Sequence, residues 1–139
     1  MEEELCLVDS CTTNSILRET KYFLTLTKSN GNVLTIAGRD AMIVGTGRAA
    51  ITLPMGTKII IEDGALLYPD STRTLLSYRD IRNNGFHVET HEDNKEEYLL
   101  LTKFFGYGKQ ILERIPSFSP KLYYTYIKPV THVAYKIIS

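Results

Sequence analysis

Apolar positions in this chain come in short blocks separated by turn-forming residues. Glu4 to Val8 has the length and apolar character of a buried strand, and also suits a piece of buried helix. It ends in Asp9-Ser10-Cys11-Thr12-Thr13, where Asp, Ser and Thr favour a turn because their side chains bond nearby backbone groups. Asn30-Gly31 marks a turn before an expected strand at 33–37. Gly38-Arg39-Asp40 marks another turn, followed by Met42 to Val44. From Arg48 to Leu53 the pattern alternates, with Ala49, Ile51 and Leu53 on one face. Pro54-Met55-Gly56 turns the chain into Lys58 to Glu62, and Asp63-Gly64 leads to Ala65 to Tyr68. Strands this short, bounded by turn signals, predict a small antiparallel barrel or sandwich.

One helix is expected from about Thr74 to Asn83, with Leu75, Leu76 and Ile81 toward a core and Asn84-Gly85 ending it. Phe86 to Thr90 reads as a strand. His91 to Glu97 is charged and polar, with the composition of a loop or linker. Beyond it, Tyr98 to Thr102 reads as a strand. Lys121 to Lys128 alternates, with Leu122, Tyr124 and Tyr126 on one face, and Thr131 to Ile138 is its expected hairpin partner.

With 139 residues, the chain suffices for one domain with a modest core. Sixteen basic and sixteen acidic residues cancel. That balance argues against a dedicated binder of nucleic acid or of anionic membranes, which usually carries a basic excess. No apolar stretch approaches a membrane span, and Met-Glu-Glu-Glu is unlike the basic start of a signal peptide. The expectation is therefore an intracellular, cytoplasmic protein, with Cys6 and Cys11 as free thiols. Too few Cys and His stand at ligand spacing for a zinc site, and no metal or cofactor is expected. His87 and His91 lack the adjacent glutamate of a zinc-protease helix, and Gly45-Thr46-Gly47 lacks the third glycine of a dinucleotide loop. Tyr123, Tyr124 and Tyr126 suit a sheet better than base stacking, since no basic surround accompanies them. Three scattered histidines define no serine or cysteine triad.

Asp9 carries the candidate chemistry, and two readings of it stand side by side. In the first it is a turn former after a strand, as most such residues are. In the second, a strand delivers one half-buried carboxylate to a hydroxyl-rich loop. Beside a second copy of itself that carboxylate has to share a proton, because like charges in contact do not both ionise. Such a pair holds a water, deprotonates it and protonates a leaving amide nitrogen. No second Asp-Ser/Thr-Gly motif exists in this chain, so the second carboxylate has to come from another copy.

The ordered set Cys6-Leu7-Val8-Asp9-Ser10, Tyr22-Phe23, Ile43-Val44-Gly45-Thr46-Gly47, Leu53-Pro54-Met55-Gly56-Thr57, Ala65-Leu66-Leu67-Tyr68, Arg73-Thr74-Leu75-Leu76-Ser77 and Asn84-Gly85-Phe86-His87-Val88-Glu89-Thr90 is similar to the retropepsin domain of copia-type retrotransposon polyproteins. The family's usual strings there are like Leu-Asp-Ser-Gly, Gly-x-Gly, Leu-Tyr-x-Pro and Arg-Asn-Leu-Leu-Ser. The likeness covers about residues 4 to 92 and rests on order and spacing rather than on any single motif. It implies a mainly β fold: a small closed β-barrel of the retropepsin (acid protease) type with one short helix. It also implies a division into a retropepsin-like domain at 1–92 and a β-rich C-terminal extension at 93–139, toward the pre-integrase region.

The resemblance further implies a homodimeric aspartic endopeptidase that takes a polypeptide substrate within a retroelement polyprotein, in the cytoplasm or within virus-like particles. Asp9 is then the catalytic acid of each subunit. Ser10 bonds across the dimer axis, and Thr12 and Thr13 lie behind the carboxylates. A flap hairpin from about Asn32 to Gly47 has its tip at Ala37, Gly38, Arg39 and Asp40, and closes over an extended peptide. Gly38, Gly45 and Gly47 suit that hairpin, and equally suit any hairpin. Cys11 departs from the family, which has Gly after Asp-Ser. A Cβ and thiol there threaten a clash across the dimer axis, so the alternative is an inactive retropepsin-like relic or a peptide-binding or dimerisation domain.

Overall fold

The computed structural model describes residues 3–28, 33–36, 39–42, 44–130 and 136–138. The molecule is mainly β, with one short helix. Strand β1 (Glu4–Asp9) is followed by β2 (Ile16–Leu17), a single 3-10 turn (Thr20–Tyr22), β3 (Phe23–Lys28), β4 (Val33–Ile36) and β5 (Arg39–Met42). Then come β6 (Gly45–Thr52), β7 (Lys58–Leu67), β8 (Thr74–Ser77), helix α1 (Tyr78–Asn83) and β9 (His87–Asp93). Strands β10 (Glu96–Phe105), β11 (Gly108–Ser119), β12 (Leu122–Pro129) and β13 (Lys136–Ile138) complete the order. No helix among the described residues is long and apolar enough to cross a membrane.

Eleven strands form one sheet in the order β13-β3-β6-β7-β2-β8-β1-β12-β11-β10-β9, and β12 pairs in addition with β6 through Lys128 to Thr52 and Pro129 to Ile51. β4 and β5 form a separate hairpin, with Ile36 opposite Arg39 at its closed end. The sheet is mixed rather than wholly antiparallel. β1 runs parallel to β8, β2 to β7, and β13 to β3. Parallel neighbours need long connections, and the one from β1 to β8 contains β2 to β7.

Several expected elements are corrected. Residues Thr74 to Ser77 are strand rather than the first turn of a helix, because Leu75 and Leu76 alternate against β1 and only Tyr78 to Asn83 coil. His91 to Asp93 and Glu96 to Glu97 are strand, with only Asn94 and Lys95 in the turn between β9 and β10. Both turn residues take positive φ. Asp63-Gly64 does not separate two strands. It lies inside β7 as an irregularity opposite Gly47 and Ala49, with Gly64 at φ +79°. β13 pairs with β3, not with β12, and residues 131–135 lie outside the described set.

The core follows from strand alternation. Ala49, Ile51, Leu53, Ile59 and Ile61 are fully enclosed, and so are Cys6 and Val8 from β1. Leu99, Leu101, Ile115, Tyr123 and Ile127, all beyond residue 93, belong to the same cluster. At the N-terminal side Gly47 lies so close to β3 that a Cβ would stand 2.1 Å from the Thr25 carbonyl oxygen. Buried Glu113 on β11 accepts from the amides of Met55 at 3.1 Å and Thr57 at 3.2 Å, which pins the turn between β6 and β7.

A chain ending at residue 92 uncovers one edge of β1 and removes five core side chains, each worth about 1.5–3 kcal/mol when buried. Such a chain is expected to give no cooperative unfolding transition by circular dichroism, whereas the full chain gives one. Burial holds protons on several side chains. The Cys6 thiol and the Tyr22 and Tyr123 hydroxyls are all pushed up from ordinary values of 9.0 and 10.0, first by desolvation. Each folded group keeps its proton where the unfolded one loses it, so this stability is complete below about pH 9 and declines as pH rises beyond. Urea unfolding between about pH 8 and 11 is expected to show that decline, with a shallower slope in Tyr22→Phe.

Candidate active-site loop

Asp9 is the last residue of β1, half-buried, and lies opposite Ser77 in the parallel pair with β8. Cys6 and Val8 face the core, so alternation puts Leu5, Leu7 and Asp9 on the other face of β1. The chain then turns tightly. The Cys11 amide donates to Asp9 Oδ1 at 2.8 Å, a bond that forms as the side chain reaches two residues ahead. Ser10 and Cys11 are both exposed, with Ser10 Oγ 3.9 Å from Cys11 Sγ. Cys11 is not among the residues with positive φ, so its side chain carries no backbone strain. Its thiol points to solvent.

The rest of the loop is held from beneath. Thr12 Oγ1 donates to the Asn14 carbonyl at 2.9 Å, and Thr13 Oγ1 donates to Asn14 Oδ1 at 3.0 Å. Both hydroxyls therefore act within the loop. Asn14 Nδ2 donates to the Gly64 carbonyl at 2.8 Å, and a Cβ on Gly64 would meet that same nitrogen at 2.6 Å. Ser15 is fully enclosed. Its hydroxyl donates to buried Asp80 Oδ2 at 2.6 Å and accepts from the Ser77 amide at 3.0 Å. Ser77 in turn donates through Oγ to the Thr12 carbonyl at 2.9 Å, and the same oxygen caps α1 by accepting from the Arg79 amide at 3.1 Å. Gly64 of β7, Ser77 of β8 and Asp80 of α1 thus hold the backbone that follows Asp9.

Tyr78, the first residue of α1, is half-buried beside this loop. Burial pushes its hydroxyl above the ordinary value first, and the Asp9 carboxylate adds to the shift. Glu97 accepts from Tyr123 Oη, and Tyr123 lies opposite Val8 in the antiparallel pair of β1 and β12. Of the four residues expected at a flap tip, Arg39 and Asp40 open β5, while Ala37 and Gly38 lie outside the described residues. Ser15, Asp80, Asn14 and Tyr78 are absent from the sequence expectation. Only the Leu-Leu-Ser string, which contains Ser77, pointed toward them.

Two depressions are formed by described residues, and Asp9 lines neither. One, of about 490 Å³, is lined by Glu4, Leu5, Leu7, Arg18, Thr72, Arg73 and Thr74. The other, of about 530 Å³, lies in the C-terminal segment around Glu97, Tyr98, Phe118 and Tyr124. Among the described residues no group of three or more His, Cys, Asp or Glu gathers as a metal site.

Ser15→Ala removes a donor from buried Asp80 and the acceptor of the Ser77 amide, and an orphaned buried group costs about 1–3 kcal/mol. Urea denaturation is expected to report a loss of that size, and hydrogen exchange is expected to show faster opening of the amides from Cys11 to Ser15. An unchanged midpoint would mean that the network does not hold the loop.

No family model, curated protein or solved structure matches this chain, so the functional reading rests on its own residues and geometry.

Proposed function

We propose that this chain is the aspartic endopeptidase domain of a retrotransposon polyprotein. It acts as a homodimer in which Asp9 of each copy contributes one carboxylate. The observation that carries this reading is the placement of Asp9. It ends an inner strand, stands half-buried at the surface, and takes one amide bond from a loop that buried side chains fix. A rigidly held carboxylate with free lone pairs at a protein surface is what a two-copy dyad needs. In the pair, one carboxylate takes a proton from water as the water attacks the peptide carbonyl, and the protonated partner activates that carbonyl. The proton then passes to the leaving nitrogen.

A closed barrel of the retropepsin type fits the strand pairings. The series β6-β7-β2-β8-β1-β12 returns to β6 through the extra contact at Thr52 and Lys128. The β4–β5 hairpin, closed between Ile36 and Arg39, fits a flap. Substrate peptide binds extended between this hairpin and the Asp9 strand.

A second reading is favoured by one specific feature: a domain of the same lineage that folds, and pairs or binds peptide, without chemistry. Cys11 presents an exposed thiol beside Asp9, on the surface where the other copy has to approach. Glycine there leaves room for that approach, and a side chain takes it up.

Cleavage of a mixed peptide library at mildly acidic pH separates the two. The unmodified chain is expected to cleave, and Asp9→Asn to lower the rate by at least about a hundredfold, the scale of a lost acid–base group. Activity that appears only in Cys11→Gly would assign the natural chain to the second reading. Silence from both, with the fold intact, would remove the protease reading altogether.

A further inference from the structure

We infer that the depression lined by Leu5, Leu7, Arg18, Arg73 and Thr74 receives an acidic side chain of an extended peptide, one or two residues from the bond that Asp9 faces. The inference rests on the proposed peptidase reading for the identity of its occupant as substrate, and on geometry and charge for the site itself.

Leu7 precedes Asp9 by two residues on the same face of β1, which places it ~7 Å along the strand. An extended peptide repeats its side chains on one face at that same interval. A peptide lying over Asp9 therefore drops a neighbouring side chain into this depression. The floor is apolar, with Leu5 at 42 % exposure, and it suits the methylene stem of a glutamate. Two guanidinium groups border it, from Arg18 just after β2 and Arg73 just before β8. Neither forms an ion pair among the described residues, whereas Arg48 and Arg114 each pair with a carboxylate. An arginine presents a planar fork of donors that matches a carboxylate.

The one carboxylate in the lining does not cancel this charge. Glu4 already accepts from Tyr22 Oη at 2.7 Å through one oxygen and from Thr74 Oγ1 at 2.6 Å through the other. Two cations against one committed anion leave the depression with a positive excess. Both arginines are exposed, so replacing them leaves the core untouched.

Binding is measured with the full-length Asp9→Asn chain, which keeps a bound peptide whole. The probes are fluorescein-labelled octapeptides of alanine and leucine carrying a single Glu, Gln or Lys at each position in turn. At low salt, one Glu register is expected to bind about tenfold tighter than its Gln counterpart, and Lys weakest. That preference is expected to fade with added salt and to vanish in the chain that also carries Arg18→Gln and Arg73→Gln, with its unfolding midpoint unchanged. Equal binding of Glu and Gln peptides, a Glu preference that survives loss of both arginines, or no binding at about millimolar concentration would each overturn the inference. The unmodified chain is then tested for cleavage of the same peptides. A Glu preference in binding without any cleavage would sustain the acidic-peptide site and remove the peptidase reading.

Discussion

The parallel contact between β1 and β8 is the constraint on which the rest of the structure depends. It pairs Cys6 with Thr74 and Asp9 with Ser77, residues far apart in sequence. The other edge of β1 is taken by β12, where Leu5 meets Tyr126 and Val8 meets Tyr123. The strand that delivers Asp9 therefore has neighbours from the middle and from the end of the chain. Non-local pairings of this kind reward the chain only after long loops have closed. The Asp9 strand is therefore complete only when distant parts of the chain have been brought together. A carboxylate placed this way belongs to the global structure, since both neighbours of its strand come from distant parts of the chain.

Buried hydrogen bonds then convert strand placement into loop geometry. Ser77 bonds Thr12, caps α1 and gives its amide to Ser15. Ser15 anchors on Asp80, which α1 carries. The end of β1, the start of the helix and the turn after Asp9 are one network. Low local dielectric strengthens each of these bonds and raises the cost of breaking any one. Hence the loop after Asp9 is anchored on the buried Ser15, Ser77 and Asp80, while Ser10, Cys11 and Thr13 remain at the surface.

Much of the strand pattern was legible because alternation reports a one-sided core. Ala49, Ile51 and Leu53 read as one face and are enclosed. Leu122, Tyr124 and Tyr126 read as one face, and the intervening Tyr123, Thr125 and Ile127 are the buried set. The errors have local causes. Thr74 to Ser77 carries leucines that suit helix and strand alike, and tertiary pairing with β1 decides between them. The polar run from His91 to Glu97 looked like a linker because both strands there are mostly solvent-facing, so no apolar period marks them. Asp9 and its turn chemistry were legible from residue type. The support from Ser15, Asn14 and Asp80 was not, since nothing in a single sequence links a serine to a carboxylate 65 positions away.

Under the proposed dimer reading, position 11 answers to two demands, one from the single chain and one from the contact between copies. Within the single chain, what the described residues ask of it is a backbone N–H aimed at Asp9, and cysteine supplies that as well as glycine does. Its φ needs no glycine, and its thiol reaches solvent without meeting the core. The buried network that holds the loop involves residues 12, 14 and 15 and leaves the side chain of 11 unconstrained. Any penalty for cysteine therefore arises only when a second copy brings its own Asp9 loop into contact. Under the proposed reading, the choice between enzyme and silent relative is made at the interface between copies and not in the folding of either one.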